Sequence, residues 1–260
     1  MPSFAELIAQ FLPEKPFSPP REWYQGRTVY GGLTAALAVQ QCLVNGGTDL
    51  PALKSAHISF VGPASGDLVF TPTLLRRGKS VTSVNVDCQC GADIVLRAAL
   101  TFAQARTSTV AHDFSSPPTV KSPSACPPLH AEDLGVAPAF IANFEMRSAG
   151  GSLPLSAARE PELLFWMRHR DAQGVDPAVA LVALADAMPP AAMASFTAPA
   201  PVSSMTWSVE LPRPPASGDW FLMRAFSRQA SNGYSIEDLE IWDEDGHSVL
   251  CSRQCVAIFT

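Results

Sequence analysis

The chain has 260 residues, of which 47% are hydrophobic and 16% are charged, and its formal net charge at pH 7 is −6. This composition excludes a disordered chain and supplies a sizeable core, since typical domains carry about 25% charged residues. The acidic balance disfavours a nucleic-acid-binding protein, which needs a basic surface for phosphate contacts. We therefore expect an acidic globular protein with no nucleic-acid partner.

The N-terminal segment bears on the cellular compartment of the protein. Residues 1–20 contain Glu6, Glu14 and four prolines after Leu12, so they cannot form the apolar core of a secretory signal. No run of 18 uncharged apolar residues occurs, and the nearest approach, 178–196, is interrupted by Asp186. These observations predict a cytoplasmic protein with no membrane partner.

The six cysteines point to the same compartment. They form no C-x-x-C pair and have no clustered histidines, which disfavours a metal site. They are more typical of small buried hydrophobic residues in a reducing cytosol. Their positions are Cys42, Cys88, Cys90, Cys126, Cys251 and Cys255. We expect no metal and no other cofactor.

The first half of the chain reads as one helix followed by strands. The helix is predicted over Gly31–Val44, is apolar on most sides, and is ended by Asn45-Gly46-Gly47. Four β-like runs follow it: Ala56–Val61, Leu68–Leu75, Val81–Gln89 and Ile94–Phe102. A helix that is apolar nearly all round is a buried helix. This half is therefore predicted to wrap an antiparallel sheet around one helix.

A proline-rich segment over 115–138 separates this half from the next and is predicted to be a linker or surface crossing. The second helix is predicted over Pro177–Met188, with Asp176 as its N-cap and Pro189-Pro190 as its stop. The strands predicted in this half are Phe140–Arg147, Glu162–Arg170, Met205–Leu211, Trp220–Ser227, Tyr234–Trp242 and Val249–Phe259. After the two opening strands Phe140–Arg147 and Glu162–Arg170, helix and strands thus recur in the same order as in the first half.

An internal repeat supports this division. The pentapeptide Pro-Ala-Ser-Gly-Asp occurs at 63–67 and again at 215–219, each time after one predicted strand and before three. We therefore predict an α+β fold of two tandem repeats, each with a central helix wrapped by an antiparallel β-sheet. The predicted boundaries are an N-terminal repeat at 1–114, a linker at 115–138 and a C-terminal repeat at 139–260.

A duplicated helix wrapped by a sheet resembles the double hotdog fold. The stretch Trp23–Ala38 resembles the first-helix motif of acyl-CoA thioesterase II (TesB-like) proteins, in which a glycine pair follows an aromatic residue. The run Ile236–Ala257, with Ser252-Arg253-Gln254, is similar to that family's last two strands. The resemblance implies an enzyme that hydrolyses an acyl-CoA thioester. Two hotdog units in one chain already make the pair that single-hotdog proteins form by association, and we expect two chains to pair further, by edge or face contacts, into a homodimer.

Asp186 is the first candidate site residue. It is the only polar residue in Ala178–Met188 and is predicted to lie in the last helical turn, where the helix dipole disfavours a negative charge. If it is buried, its raised pKa suits a general base, but it could also simply face water. The resemblance places the family's catalytic aspartate at this position.

Gln254 lies in an apolar strand row, where its amide must bind a water, a substrate carbonyl or nearby backbone. The resemblance matches it to the family's catalytic glutamine. The family's site hydroxyl falls on Ser204, and Thr206 is the alternative because it is expected on the same strand face. Gly31 and Gly32 would let a substrate approach backbone donors at the helix N-terminus, or would simply allow tight packing.

Two other functions compete with hydrolysis. A non-catalytic protein of the same fold could bind acyl-CoA or an acyl chain, and Leu33 keeps this alternative open because the family often has Gln after the glycine pair. A hotdog hydratase would need an Asp/His dyad on the central helix, and neither predicted helix contains His. The acyl group itself cannot be predicted from these patterns.

Overall fold

One large antiparallel sheet organises the protein. The computed structural model describes residues 2–13, 15–46, 50–135, 137–214 and 219–260, and within these ranges it has one 11-stranded sheet and one two-stranded hairpin. The elements of the first half are α1 Phe4–Gln10, β1 Tyr24–Gln25, β2 Thr28–Val29, α2 Gly31–Gly46, β3 Leu53–Phe60, β4 Leu68–Arg77, β5 Val81–Cys90 and β6 Asp93–Ala103.

The second half repeats this plan with extra strands before its helix. Its elements are β7 Pro128–Leu129, β8 Phe144–Gly151, β9 Glu162–His169, α3 Pro177–Ala185, β10 Val202–Glu210, β11 Phe221–Ser231, β12 Tyr234–Trp242 and β13 Ser248–Ile258. Short 3-10 helices lie in several of the connections, among them Ala139–Asn143 and Ala191–Ser195.

The strand order demonstrates the duplication. The order across the sheet is β4-β5-β6-β3-β10-β13-β12-β11-β9-β8-β7, so the eight strands from β4 to β11 are symmetric about the β3–β10 pair. The α+β architecture of two repeated units is therefore confirmed. In the second copy of the pentapeptide, residues 215–218 lie outside the described residues, as does position 47 of the predicted helix stop.

The two long helices form the core because they are apolar on nearly every side. In α2, Leu33 and Leu37 are fully buried, and both helices belong to one continuous hydrophobic cluster with the inner face of the sheet. The carboxylate of Asp176 begins α3 by accepting the N–H groups of Ala178 and Val179. Helix and sheet faces thus bury each other, as the sequence pattern predicts.

Helix α3 ends at Ala185, before the predicted end at Met188. Residues that precede a proline are disfavoured in the helical region, so the Pro189-Pro190 pair acts on the residues upstream of it. The chain instead makes a tight turn in which the N–H of Ala187 donates to Leu184 O. Asp186 therefore caps the helix instead of lying within its last turn.

The predicted strand Phe140–Arg147 is wrong over its first four residues. Residues Ala139–Asn143 form a 3-10 helix, and β8 begins only at Phe144. Asn143 stabilises this turn because its side-chain amide donates to Phe140 O and to Glu22 O. A local side-chain bond to the backbone competes here with the strand pattern.

The proline-rich segment 115–138 packs in part against the face of the sheet opposite the helices, through Val120 and Cys126, whereas Leu134 and Pro138 line the cavity described below. Within it, β7 pairs with β8, and Lys121 O accepts the indole N–H of Trp166. Cys126 is buried in a second hydrophobic cluster with Trp166, Trp242 and their neighbours. The segment therefore packs against the second half of the sheet, and the repeat boundaries at 114 and 138 stay a prediction.

Helix α1 was not predicted, although its N-terminal capping box is visible in the sequence. The Ser3 hydroxyl accepts the Glu6 N–H while the Glu6 carboxylate accepts the Ser3 N–H. The six cysteines all lie in the described part and are free thiols. Over the residues described, no helix is both long and apolar enough to cross a membrane.

Candidate active site

A cavity of about 980 Å³ opens where the N-terminal end of α2 faces the C-terminal end of α3. Both halves of the chain line it: Gly31 and Phe60 come from the first, and Asp186, Ser204 and Gln254 come from the second. The helix ends meet because α2 and α3 pack against each other inside the sheet. The site is therefore composite and needs both repeats.

Three predicted residues form a continuous hydrogen-bonded chain at this cavity. The Gln254 side-chain amide donates to Asp186 Oδ1 over 2.7 Å, and Ser204 Oγ donates to Gln254 Oε1 over 3.2 Å. The donor and acceptor ends of one amide are both used, so the orientation of Gln254 is set by its two neighbours. The amide of Gln254 is thus satisfied by side chains of the site and not by nearby backbone.

Burial raises the pKa of Asp186 to about 7, and the hydrogen bonds from Gln254 and from the Gly32 N–H oppose this effect. Removal of water disfavours the charged carboxylate more than these two donors stabilise it. A group with this pKa is present in both protonation states near neutral pH. Asp186 can therefore accept a proton and release it again under ordinary conditions.

The glycine pair brings the backbone of α2 against this carboxylate. The N–H of Gly32 donates to Asp186, and a Cβ on Gly31 would lie 2.9 Å from Asp186 Oδ2. The first intrahelical bond of α2 runs from the Thr34 N–H to Tyr30 O, so the preceding N–H groups have no acceptor within the helix. The positive end of α2 therefore lies against Asp186 and offsets the unfavourable position of this carboxylate at the C-terminal end of α3.

The expectation that Thr206 shares the face of Ser204 is wrong. The pairing of β10 with β13 shifts between these two residues, so that Ser204 lies opposite Val256 and Thr206 lies opposite Cys255. A β-bulge at Met205 adds one residue and reverses the alternation that follows it. Ser204 faces the cavity, whereas Thr206 is exposed on the other face of the sheet.

Tyr30 joins the two helix ends and was missed by the sequence analysis. Its hydroxyl donates to Ala183 O over 2.6 Å, and its ring stacks on Phe140 with the ring centres 3.9 Å apart. Burial and the nearby charge of Asp186 raise the pKa of Tyr30 well above its ordinary value. The available signal was its position directly before the glycine pair.

We expect Tyr30→Phe to lower the free energy of unfolding by about 1–3 kcal/mol, because Ala183 O would lose its buried donor. Urea denaturation of the full chain measures this change. Tyr234→Phe is the matched control, since Tyr234 is 48% exposed and its variant should stay within about 0.5 kcal/mol of the wild type. Equal stabilities of the two variants would contradict the role given to Tyr30.

Metal ligation finds no support in the described ranges, where no group of three His, Cys, Asp or Glu side chains could hold an ion. The polar groups that the site brings together are the Asp186 carboxylate, the Gln254 amide, the Ser204 hydroxyl and the backbone N–H of Gly32.

Two protein-family models match the sequence in tandem. Residues 19–121 match an acyl-CoA thioesterase N-terminal domain, and residues 123–258 match an acyl-CoA thioesterase C-terminal domain. No curated protein sequence matches the chain closely enough to count as a relative. The two models together extend over both halves of the duplicated fold.

Solved structures share the same architecture at low sequence identity. A conserved protein of unknown function with a hot dog fold from Alicyclobacillus acidocaldarius is 21% identical, with a TM-score of 0.84 over 94% of this chain and 92% of that chain. The tesB protein of Mycobacterium avium subspecies paratuberculosis is 17% identical, with a TM-score of 0.75 over 95% and 91%. The acyl-CoA thioesterase II TesB2 of Mycobacterium marinum is 18% identical, with a TM-score of 0.72 over 94% and 93%. These similarities establish the fold, and the predicted double hotdog is confirmed.

Proposed function

Because this chain belongs to the acyl-CoA thioesterase family, we propose that it hydrolyses an acyl-CoA thioester to a free acid and coenzyme A, with Asp186 as the general base. The observation that carries this proposal is the hydrogen-bonded chain from Ser204 through Gln254 to Asp186, which lines a cavity large enough for a substrate.

Asp186 takes the proton from the attacking water in this mechanism. Its pKa of about 7 leaves a useful fraction ionised at neutral pH while keeping it a stronger base than an exposed carboxylate. The oxygen of the water then forms a bond to the thioester carbonyl carbon as the proton passes to the carboxylate. Each turnover ends with release of that proton from Asp186.

Gln254 and Ser204 orient the water. The amide holds Asp186 in place through one hydrogen bond and accepts the Ser204 hydroxyl through the other. A water between these groups and the substrate meets fixed polar partners on the protein side. Such fixed partners reduce the entropy lost on reaching the reacting geometry.

The N-terminus of α2 stabilises the oxyanion. Gly31 lines the cavity, and its N–H precedes the first intrahelical bond of α2. A tetrahedral intermediate places a negative charge on the former carbonyl oxygen, which backbone N–H groups at a helix start can bind. Collapse of this intermediate breaks the C–S bond, and the thiolate leaves easily because thiols have a pKa of about 8.5.

A non-catalytic acyl-CoA or acyl-chain binding protein is the alternative function. This alternative was kept open because Leu33 stands where the family often has Gln. The Leu33 side chain is fully buried in the core, and Gly31 and Thr34 of the same helical turn line the cavity. Leu33 itself therefore does not line the cavity. The homodimer and the cytoplasmic location stay predictions.

A pair of hydroxyl variants tests the proposal. We expect Ser204→Ala to lower kcat by about tenfold or more, because Gln254 loses the donor that orients it. Thr206→Ala is the control on the opposite face and should retain wild-type kcat. Thiol release from a panel of acyl-CoAs measures both. Loss of activity in Thr206→Ala with retention in Ser204→Ala would overturn this site, and tight binding without turnover by the wild type would favour the binding protein.

A further inference from the structure

Glu237 is a buried carboxylate that the proposed mechanism does not use. It lies on β12 directly opposite Gln254 of β13, on the inner face of the sheet, and is only 6% exposed. Its two oxygens accept the N–H groups of Ala191 and Ala192 over 2.6 and 3.1 Å. A second acidic group is therefore built into the protein beside the candidate site.

These two N–H groups belong to a segment that forms one side of the cavity. We call residues 189–196 the wall segment; it begins three residues after Asp186 and contains the 3-10 helix Ala191–Ser195. Pro189, Pro190 and Met193 line the cavity. Glu237 thus binds the start of the 3-10 helix that places Met193 at the cavity.

Residues 155–158 are joined to the wall segment by backbone hydrogen bonds. Leu155 donates its N–H to Met193 O over 2.8 Å, and Ala158 donates to Ala194 O over 2.9 Å. The side chain of Leu155 also lines the cavity, and its φ of 62° lies in the left-handed region, which non-glycine residues seldom adopt. A shift of the wall segment would therefore move Leu155 as well as Met193, and both residues line the cavity.

The glutamate is the anchor of this arrangement for a physical reason. A buried carboxylate is costly unless it is hydrogen-bonded, and bonds from N–H groups to a charged acceptor are stronger than neutral ones. A 3-10 helix of five residues has poor internal hydrogen-bond geometry and little stability of its own. Without Glu237, two buried N–H groups would lose their acceptors and the segment would be free to shift.

The apolar surface of the wall segment indicates which part of the substrate it meets. The thioester carbonyl must lie at Asp186 and Gln254, and the charged nucleotide of coenzyme A requires water. Proline, methionine and leucine side chains next to Asp186 suit a hydrocarbon chain instead. The acyl group is therefore the part of the substrate that packs against this wall.

We propose that Glu237 is a positioning residue that sets acyl-chain selectivity, by holding in place the wall segment against which the acyl group packs. This inference rests on the proposed thioesterase function. It differs from that function in its prediction: Glu237 should affect the response to chain length, and not the chemical step.

The test is Glu237→Gln in the full chain, assayed with butanoyl-CoA and dodecanoyl-CoA. An amide offers only one acceptor oxygen, so one of the two N–H groups would face an N–H₂ group instead. We expect KM for dodecanoyl-CoA to rise by about tenfold, with kcat and KM for butanoyl-CoA within about twofold of the wild type. The matched control is Glu240→Gln, the same substitution on β12, where Glu240 faces the other side and contacts Arg224.

A second variant keeps the inference testable if Glu237→Gln does not fold. Met193→Trp leaves Glu237 in place and narrows the cavity at the wall, so we expect dodecanoyl-CoA to lose about tenfold or more in kcat/KM relative to butanoyl-CoA. Equal losses for the two substrates in both variants would overturn the role in selectivity. A lower Tm in Glu237→Gln with an unchanged chain-length preference would also overturn it, since a merely structural role predicts that result.

The outcome is distinguishable from failure of the proposed function. If the wild type releases no thiol from any acyl-CoA, the proposed hydrolysis is wrong. The same comparison is then made with dissociation constants for the two acyl-CoAs. A selective loss of affinity for dodecanoyl-CoA in Glu237→Gln supports the role of Glu237 in acyl-chain selectivity. An equal change in affinity for both ligands overturns that role.

Discussion

Asp186→Asn is expected to lower kcat by about a hundredfold or more, because the amide cannot take the proton of the attacking water. The substitution keeps the size of the side chain and leaves an oxygen that can accept the hydrogen bond from Gln254. Thiol release from acyl-CoAs measures the change. Wild-type turnover in this variant would show that Asp186 is not the general base, and the proposed thioesterase activity would still stand.

The pH dependence gives this prediction a second readout. Since the pKa of Asp186 is raised to about 7, wild-type kcat/KM should fall about tenfold for each pH unit below that value and level off above it. The residual activity of Asp186→Asn should lack this inflection. A wild-type profile with its midpoint near pH 4 would contradict the effect of burial on this carboxylate.

Stability should respond to pH in the opposite direction from activity. Between the ordinary aspartate pKa and about 7, the folded protein keeps a proton on Asp186 that the unfolded chain has lost, so stability falls as pH rises through this window. The Tm of the wild type relative to Asp186→Asn should therefore be higher at pH 5 than at pH 8. An unchanged difference would mean that Asp186 titrates normally in the folded state.

Gly32→Ala has the second large expected effect, a loss of about a hundredfold in kcat. A Cβ at this position would lie 2.5 Å from Tyr30 Cζ and 2.9 Å from Ala183 O. Neither neighbour can yield easily, because the Tyr30 ring is stacked on Phe140 and Ala183 is part of α3. The start of α2 must then shift away from Asp186, and displacements of about 1 Å can cost about a hundredfold in rate.

Gly62→Ala is the matched control for this glycine. Gly62 also lines the cavity, but an added Cβ would meet nothing closer than 3.7 Å. We expect this variant to keep kcat within about threefold of the wild type, while overpacking lowers the stability of Gly32→Ala by about 1–3 kcal/mol. Urea denaturation and thiol release measure both quantities. Full activity in Gly32→Ala would show that the α2 terminus does not position Asp186.

The candidate site could be predicted in part because some of its residues break a local pattern. Asp186 interrupts an apolar helix and Gln254 interrupts an apolar strand row, and the structure brings these two side chains into contact. Glu237 breaks the inward row of β12 in the same way, between Ser235 and Leu239, and could have been found by the same reasoning. A polar residue at a buried position is the signal that sequence alone provides.

Tyr30 and Thr206 illustrate what this reasoning misses. The bulge at Met205 reverses which residues of β10 face inward and which face outward. Methionine has no particular preference for bulges, so the sequence does not indicate this one. The partner of Tyr30 is a backbone oxygen more than 150 positions away along the chain, at Ala183. Local pattern contains no information on either feature, because both depend on how separate segments meet.

By itself, the sequence determined the duplicated α+β plan of this protein. Apolar periodicity, the cap at Asp176 and the stop at Pro189-Pro190 act over a few neighbouring residues and can be read directly. Only the tertiary structure decided that the N-terminus of α2 meets Asp186 at the end of α3, and that Ser204 rather than Thr206 faces the cavity. Both features depend on packing between segments that are distant in the sequence. A shift of one residue in the pairing of β10 with β13 decides which hydroxyl faces the cavity, and the absence of a Cβ at Gly32 allows α2 to approach α3.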